Sequence, residues 1–229
     1  ATISKRPVLQ VFNTHHHPDH FLGNQAFADT PIAALTTTQQ GIAAEGNAFA
    51  ENLYRMAGDW MQGTEVQAPN TTLKAGNVKI AGRNLRLLAL EGHTGGDLAI
   101  YDENSGVLFT GDLVFNSRAP TTPHAQLKLW LASLDVLEAV TREPGFTALV
   151  PGHGAVTRDA APIRQTRAWL NWLNKSMQEA AAAGLDMNEV LAQPLPAEFS
   201  GMALGKHEFH RSVGHLFPAA EQEALGHAH

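Results

Sequence analysis

The run Thr14-His15-His16-His17-Pro18-Asp19-His20 constrains this chain more than any other stretch. Three candidate imidazole ligands, His15, His17 and His20, and one carboxylate, Asp19, lie inside it. An apolar, strand-like segment, Val8-Leu9-Gln10-Val11-Phe12, precedes it. On a strand side chains alternate, so His15 and His17 point one way and His16 the other. Pro18 then opens a helix expected from Asp19 to about Ala28, with Asp19 and His20 in its first turn. One pair of ligands leaves a strand end and a second pair leaves a helix start. That arrangement suits two neighbouring metal ions better than one. A histidine cluster can also be a tag remnant or a solvated loop that takes up metal adventitiously. Tags sit at termini, however, and this run lies between two structured segments.

Three later segments carry the same kind of residue: Gly92-His93-Thr94-Gly95-Gly96-Asp97, Thr110-Gly111-Asp112 and Pro151-Gly152-His153-Gly154. Each follows an apolar run and ends in a glycine-flanked loop. A strand delivers the ligand and glycine lets the backbone turn tightly beside it. His-x-His-x-Asp-His at His15–His20, followed in order by His93, Asp112 and His153, resembles the metallo-β-lactamase-fold hydrolase superfamily. The resemblance covers nearly all of the chain from Val8 to about Arg158.

The resemblance implies an α/β architecture, an αββα sandwich, in one domain over 1–229 with a C-terminal helical extension from about 158. It implies that His15, His17 and His93 hold a first metal, that Asp19, His20 and His153 hold a second, and that Asp112 bridges them. The implied cofactor is a pair of Zn²⁺ ions, with iron or manganese as the alternative. Imidazole and carboxylate donors suit zinc. Two such ions lower the pKa of a shared water toward about 7 and polarise a carbonyl or phosphoryl oxygen. The implied reaction is hydrolysis of a small ester, thioester, lactone or amide by a bridging hydroxide. Asp19 is the catalytic candidate, orienting that hydroxide and shuttling its proton. The alternative is an iron-dependent, persulfide dioxygenase-like oxidoreductase on the same fold. A flavodiiron centre would want an acidic residue at position 17, and a non-catalytic binding module would not need every ligand.

Composition bounds the partners. The 229 residues are 44% hydrophobic and 17% charged, enough for one substantial core. Net charge is −6 with no basic cluster, so a small-molecule substrate is expected rather than nucleic acid or a membrane. No apolar run approaches a membrane span. The chain has no cysteine, which excludes thiolate zinc sites, including those of β-lactamases with a Cys ligand. The resembled fold opens with more strands than precede His15 here. The chain is therefore expected to be shortened or processed, or to take the missing sheet edge from a partner chain such as a second copy of itself.

Along the chain, Pro31–Leu35 reads as a strand and Thr36 to about Gln62 as a helix N-capped by Thr36 to Thr38. Its stripe Phe49, Leu53, Met56 and Trp60 reads as core packing for the first three, with Trp60 and Met61 as candidate pocket walls. Asn70 to Leu90 reads as a strand meander, and Leu98–Tyr101 with Val107–Phe109 as a strand pair. Asp97 suits either an outer partner of the metal ligands or a loop cap. Asn116, Ser117 and Arg118 are candidate polar contacts to substrate. Leu127 to Val140 shows a helical stripe, Phe146–Val150 a buried strand, and Arg158 to about Ala183 a long helix stopped by Gly184.

Asp186 starts a short helix. In the last stretch Arg211 and His215 share a face with His207, read as a solvated basic stripe or as a reader of a substrate anion. Arg211 to Leu216, after Thr110 to Phe115, is similar to the SoxH-like quinoprotein relay-system zinc metallohydrolases, which implies a soluble, exported, periplasmic protein. The basic residues expected of a glutathione-thioester hydrolase at its C-terminal helical region do not stand out.

Overall fold

A computed structural model describes residues 6–226. His227 and His229, expected in a frayed tail, lie outside the described residues. Among the described residues, eight strands form two sheets. β1 (Val11–Phe12), β2 (Ile32–Leu35) and β3 (Thr71–Leu73) run parallel in that order. β4 (Gly76–Ile80), β5 (Arg83–Leu90), β6 (Asp97–Asp102), β7 (Val107–Phe109) and β8 (Ala148–Val150) form the second sheet, antiparallel except for β7 with β8.

The layering follows from β6, Asp-Leu-Ala-Ile-Tyr-Asp, which is buried on both faces. Leu98 and Ile100 point into the space between the sheets, against Leu35, Leu85 and Leu87. Ala99 and Tyr101 point to the other side, into the main core with Trp130, Leu134, Leu137, Trp169 and Leu173. That core is built by α3 (Leu127–Val140), α4 (Ala161–Ala182) and α6 (Gly205–Gly226). On the far side α2 (Thr36–Ala57) covers the small sheet through Ile42, packed with Phe21 of α1 (Pro18–Phe21). The result is the expected αββα sandwich, with its loops gathered where both sheets end.

Several local expectations need correction. The helix expected from Asp19 to about Ala28 is one turn, α1, followed by a separate 3₁₀ turn at Asn24–Phe27. Asn13 explains the break: its amide donates to His20 O at 2.9 Å and pairs with the buried Asn24 side chain, fixing the chain where a helix would continue. Only Val11–Phe12 of the first apolar run is strand, and Val8 and Leu9 are exposed. α2 ends at Gly58 and Leu35 occupies its N-cap; Thr38 instead donates to Gly96 O. α4 starts at Ala161, not Arg158. Gly184, at φ +72°, closes α4 as expected, and Asp186 caps α5 (Met187–Leu191) in a capping box with Glu189.

Candidate metal centre

The ligand-type side chains arrive from five places. His15 and His17 come from the loop after β1, Asp19 and His20 from α1, His93 from the loop after β5, Asp112 from the turn after β7, and His153 from the loop after β8. Backbone bonds fix these loops to the sheets. Leu98 N donates to Thr14 O at 2.8 Å, holding the histidine loop to β6. Gly152 N donates to Gly111 O and Val114 O, so the Asp112 and His153 loops share one framework. A Cβ on Gly152 would run into Asp112 Oδ1 and its backbone nitrogen, so glycine is required for this approach. Asp97 settles between its two candidate roles as a loop clamp. It accepts from His93 N, Thr94 N and Thr94 Oγ1, and burial pushes its pKa up to about 7 against those bonds.

Two groups result. Ligand atoms of His15, His17, His93 and Asp112 lie within 4.8 Å of one another, all buried. Those of Asp19, His20 and His153 form a second such group, nearer solvent. Asp112 stands between them. Its oxygens lie 3.9 Å from His15 Nε2, 3.6 Å from His93 Nε2, 3.1 Å from His20 Nε2 and 3.3 Å from His153 Nε2. His15 Nε2, His20 Nε2 and Asp112 Oδ1 are buried and make no hydrogen bond. His20 Nε2 and Asp112 Oδ1 are only 3.1 Å apart, yet are not aligned as donor and acceptor. Buried polar atoms normally find partners. Crowded, unbonded lone-pair atoms of imidazole and carboxylate fit divalent cations among them.

Charge divides the groups as well. Burial, with the neighbouring rings, lowers the pKa of His15, takes His17 down to about 2, and takes His93 down to about 4. These three are neutral. Burial also opposes charge on His20, but the Asp112 and Asp19 carboxylates outweigh it and raise His20 to about 10. Charge attraction at 3.1 Å persists without hydrogen-bond alignment. Asp112 and Asp19 likewise raise His153 to about 9. Burial acts against ionisation of Asp19 and Asp112, but His153 and His20 hold both carboxyls well below the usual range.

The site opens into a cavity of about 240 Å³. Phe49, Leu53 and Met56 form one wall; Phe49 and Leu53 also pack on the Phe21, Leu22 and Ile42 cluster as expected, whereas Met56 is 68% exposed and does not. Trp60, 93% exposed, and Met61 do not line it. Arg118 and Arg211 line the opposite side. Asn116 does not: its amide donates to Ala155 O and supports the His153 loop. His215 is exposed on α6 and is not among the lining residues either. His16 is buried away from Asp112, against α2. Three contributors carry no sequence signal of their own. His124 sits 2.9 Å from His17, Glu45 meets His124, and Thr121 lines the cavity beside Arg118.

Two stacked sheets between helices, with a histidine–aspartate donor set at their loop end, define a class of αββα proteins. The family model described as Metallo-beta-lactamase superfamily matches residues 2–171. The chain belongs to that superfamily. A hydroxyacylglutathione hydrolase of Synechococcus sp. (strain JA-3-3Ab) is 36% identical over 131 residues, 57% of this chain and 44% of that protein. One from Nitrosococcus oceani is 32% identical over 153 residues, 64% and 48% of the two chains. The chain thus spans less than half the length of these relatives. Among solved structures, a metallo-beta-lactamase family protein from Thermus thermophilus superposes with TM-score 0.60 at 26% identity, over 95% of this chain and 76% of that one. A beta-lactamase domain protein from Burkholderia ambifaria shares the fold at TM-score 0.62 and 22% identity, covering 96% and 68%.

Proposed function

We propose that this chain is a dinuclear zinc hydrolase that cleaves a small thioester, ester, lactone or amide carrying an anionic group. The observation that carries the reading is Asp112, 2% exposed, within 3.9 Å of histidines from both groups. His15, His17 and His93 would hold one ion, Asp19, His20 and His153 the other, with Asp112 shared. Bound there, two such ions supply Lewis acidity and lower the pKa of water to near neutrality.

The chain's own residues supply the rest. Asp19, exposed over 53% of its side chain and lining the cavity, is ionised at neutral pH. It is suited to accept a hydrogen bond from the attacking oxygen, orient it, and take up its proton for delivery to the leaving group. Phe49, Leu53 and Met56 offer apolar contact to an acyl group. Arg118 and Arg211 both pair with the buried Glu208, which fixes their guanidinium groups and leaves the cluster with one net positive charge. Arg118 Nη1 and Thr121 Oγ1 are buried without partners, so both remain available to a substrate carboxylate or similar oxyanion.

The thioester preference draws support from the hydroxyacylglutathione hydrolases and from an acyl-coenzyme A thioesterase of Gallus gallus, 25% identical over 65% of this chain. A linear primary-alkylsulfatase of Pseudomonas is 23% identical over 98% of this chain and 50% of that protein.

The test is a panel of neutral and anionic thioesters, esters and lactones offered to zinc-loaded protein. Chelator-sensitive hydrolysis that favours anionic members, and loses that preference in Arg118→Gln, is expected. Oxygen consumption without hydrolysis would replace this reading with the iron-dependent one.

A further inference from the structure

His17 is held from both sides. Its Nδ1 lies 2.9 Å from His93 Nε2, inside the buried ligand group, and its Nε2 lies 2.9 Å from His124 Nδ1, outside it. His124 reaches in from the loop before α3, and its Nε2 lies 3.2 Å from Glu45 Oε2. We propose that His124 and Glu45 form a positioning chain for His17, which fixes its ring and presents Nδ1 to the metal. The proposal rests on reading His15, His17, His93 and Asp112 as a metal-holding group.

The direction of the chain follows from its last member. An ionised carboxylate only accepts. Glu45 therefore takes the Nε2–H of His124, and in the neutral tautomer this selects, His124 Nδ1 is the acceptor. That acceptor takes the Nε2–H of His17, and His17 Nδ1 is left bare. The reverse order would set the His124 Nε2 lone pair against the Glu45 carboxylate at 3.2 Å, a repulsive contact. The neighbouring ligands lack such a chain. His15 Nδ1 meets only the Thr14 hydroxyl at 3.0 Å, and His93 Nδ1 is buried with no partner.

α2 is shaped for this purpose. Gly41, Glu45 and Phe49 recur every four residues and so share one face. Gly41 lets the helix approach His16 so closely that a Cβ there would lie 2.6 Å from His16 Cγ. The Phe49 ring lies 6.3 Å from those of His16 and His17 and 6.4 Å from that of His124. His16 packs on His124 at 4.9 Å, while the His124 and Glu45 side chains remain 31% and 42% exposed. The carboxylate is therefore delivered from a rigid helix to a ring already confined by packing.

The test titrates zinc into metal-free protein against a chromophoric chelator, which reads affinity without turnover. A failed hydrolase assay therefore leaves it intact. His124→Ala should weaken one of the two equivalents by about 10- to 100-fold. His124→Asn places an amide oxygen near the Nδ1 position and should retain nearly all of the affinity, because that oxygen can accept the same hydrogen. Glu45→Ala should give a smaller loss than His124→Ala. The thermal midpoint of each metal-free variant separates lost packing from lost positioning and keeps the test open if His124→Ala folds poorly. The proposal is overturned if His124→Asn binds as weakly as His124→Ala, or if both bind like the wild type. It is also overturned if the wild type takes a third equivalent that His124→Ala lacks, which would make His124 a ligand itself.

Discussion

The two halves of the centre use the same residue types to opposite ends. His15, His17 and His93 sit at 0%, 6% and 0% exposure, and burial keeps them neutral. His20 and His153, 17% and 28% exposed and facing Asp19 and Asp112, have their pKa raised by those carboxylates. In the proposed dinuclear centre the first half would take a cation without losing protons, and the second would have to give up protons to take one. Environment, not residue identity, sets the difference: three rings are almost fully buried, and two face a pair of carboxylates.

The largest break in this contrast is removal of the group both halves share. Asp112→Ala should reduce bound metal to one ion or fewer and abolish turnover, as read by elemental analysis and any working assay. Retention of two tightly held ions would remove Asp112 from the bridge. Next is proton release, measured by calorimetry at about pH 7.5 in buffers of different ionisation enthalpy. The equivalent that enters the buried half should release almost none, and the other about two, from His20 and His153. Equal release from both would erase the distinction between the halves.

The contrast also shapes the stability of the metal-free protein. His20 and His153 have raised folded pKa values, so their contribution is complete below about 6.5 and lost as pH climbs through about 9 and about 10. The three lowered histidines act oppositely, and their contribution is lost as pH falls below about 6.5. Asp97, raised to about 7, blunts that acid limb, because its own contribution falls as pH rises toward neutrality. The thermal midpoint should therefore peak near about pH 6.5. A midpoint still rising at about pH 9 would contradict the charged state of the outer half.

A smaller effect tests the wall of the buried half. Gly41→Ala gains roughly 1 kcal/mol of helix propensity. It must also displace the His16 ring, at about 1–3 kcal/mol, so a net loss is expected on denaturant unfolding. In a His16→Ala background the same change should become neutral or favourable. Smallest of all, His16→Ala should leave metal content unchanged, since its ring lies outside both ligand groups. Loss of an ion would bring His16 into the centre.

The same division explains which parts of the centre are legible in the sequence. His15 and His17 follow a strand-like run and precede Pro18, and His93, Asp112 and His153 each stand beside a glycine, a local pattern written in adjacent residues. The sandwich follows from strand runs such as Leu85–Leu90 and from the apolar stripe of α3. His124 cannot be found that way. It is a lone histidine 107 positions from His17, on a loop with no period, and only folding joins them. Glu45 looks like one more charge on a helix face. The break after α1 depends on the Asn13–Asn24 amide pair, a contact between side chains that no propensity reports. Met56 shares the core-like period of Phe49 and Leu53, but those two pack on Phe21 and Ile42 while Met56 is left exposed at the cavity.

The most direct measurement is metal content per chain, by inductively coupled plasma mass spectrometry, on protein purified without added metal. The two-ion centre predicts close to two zinc ions per chain, falling to about one when pH is lowered enough to keep His20 and His153 protonated. A single ion per chain that is predominantly iron, unchanged across that pH range, would contradict it.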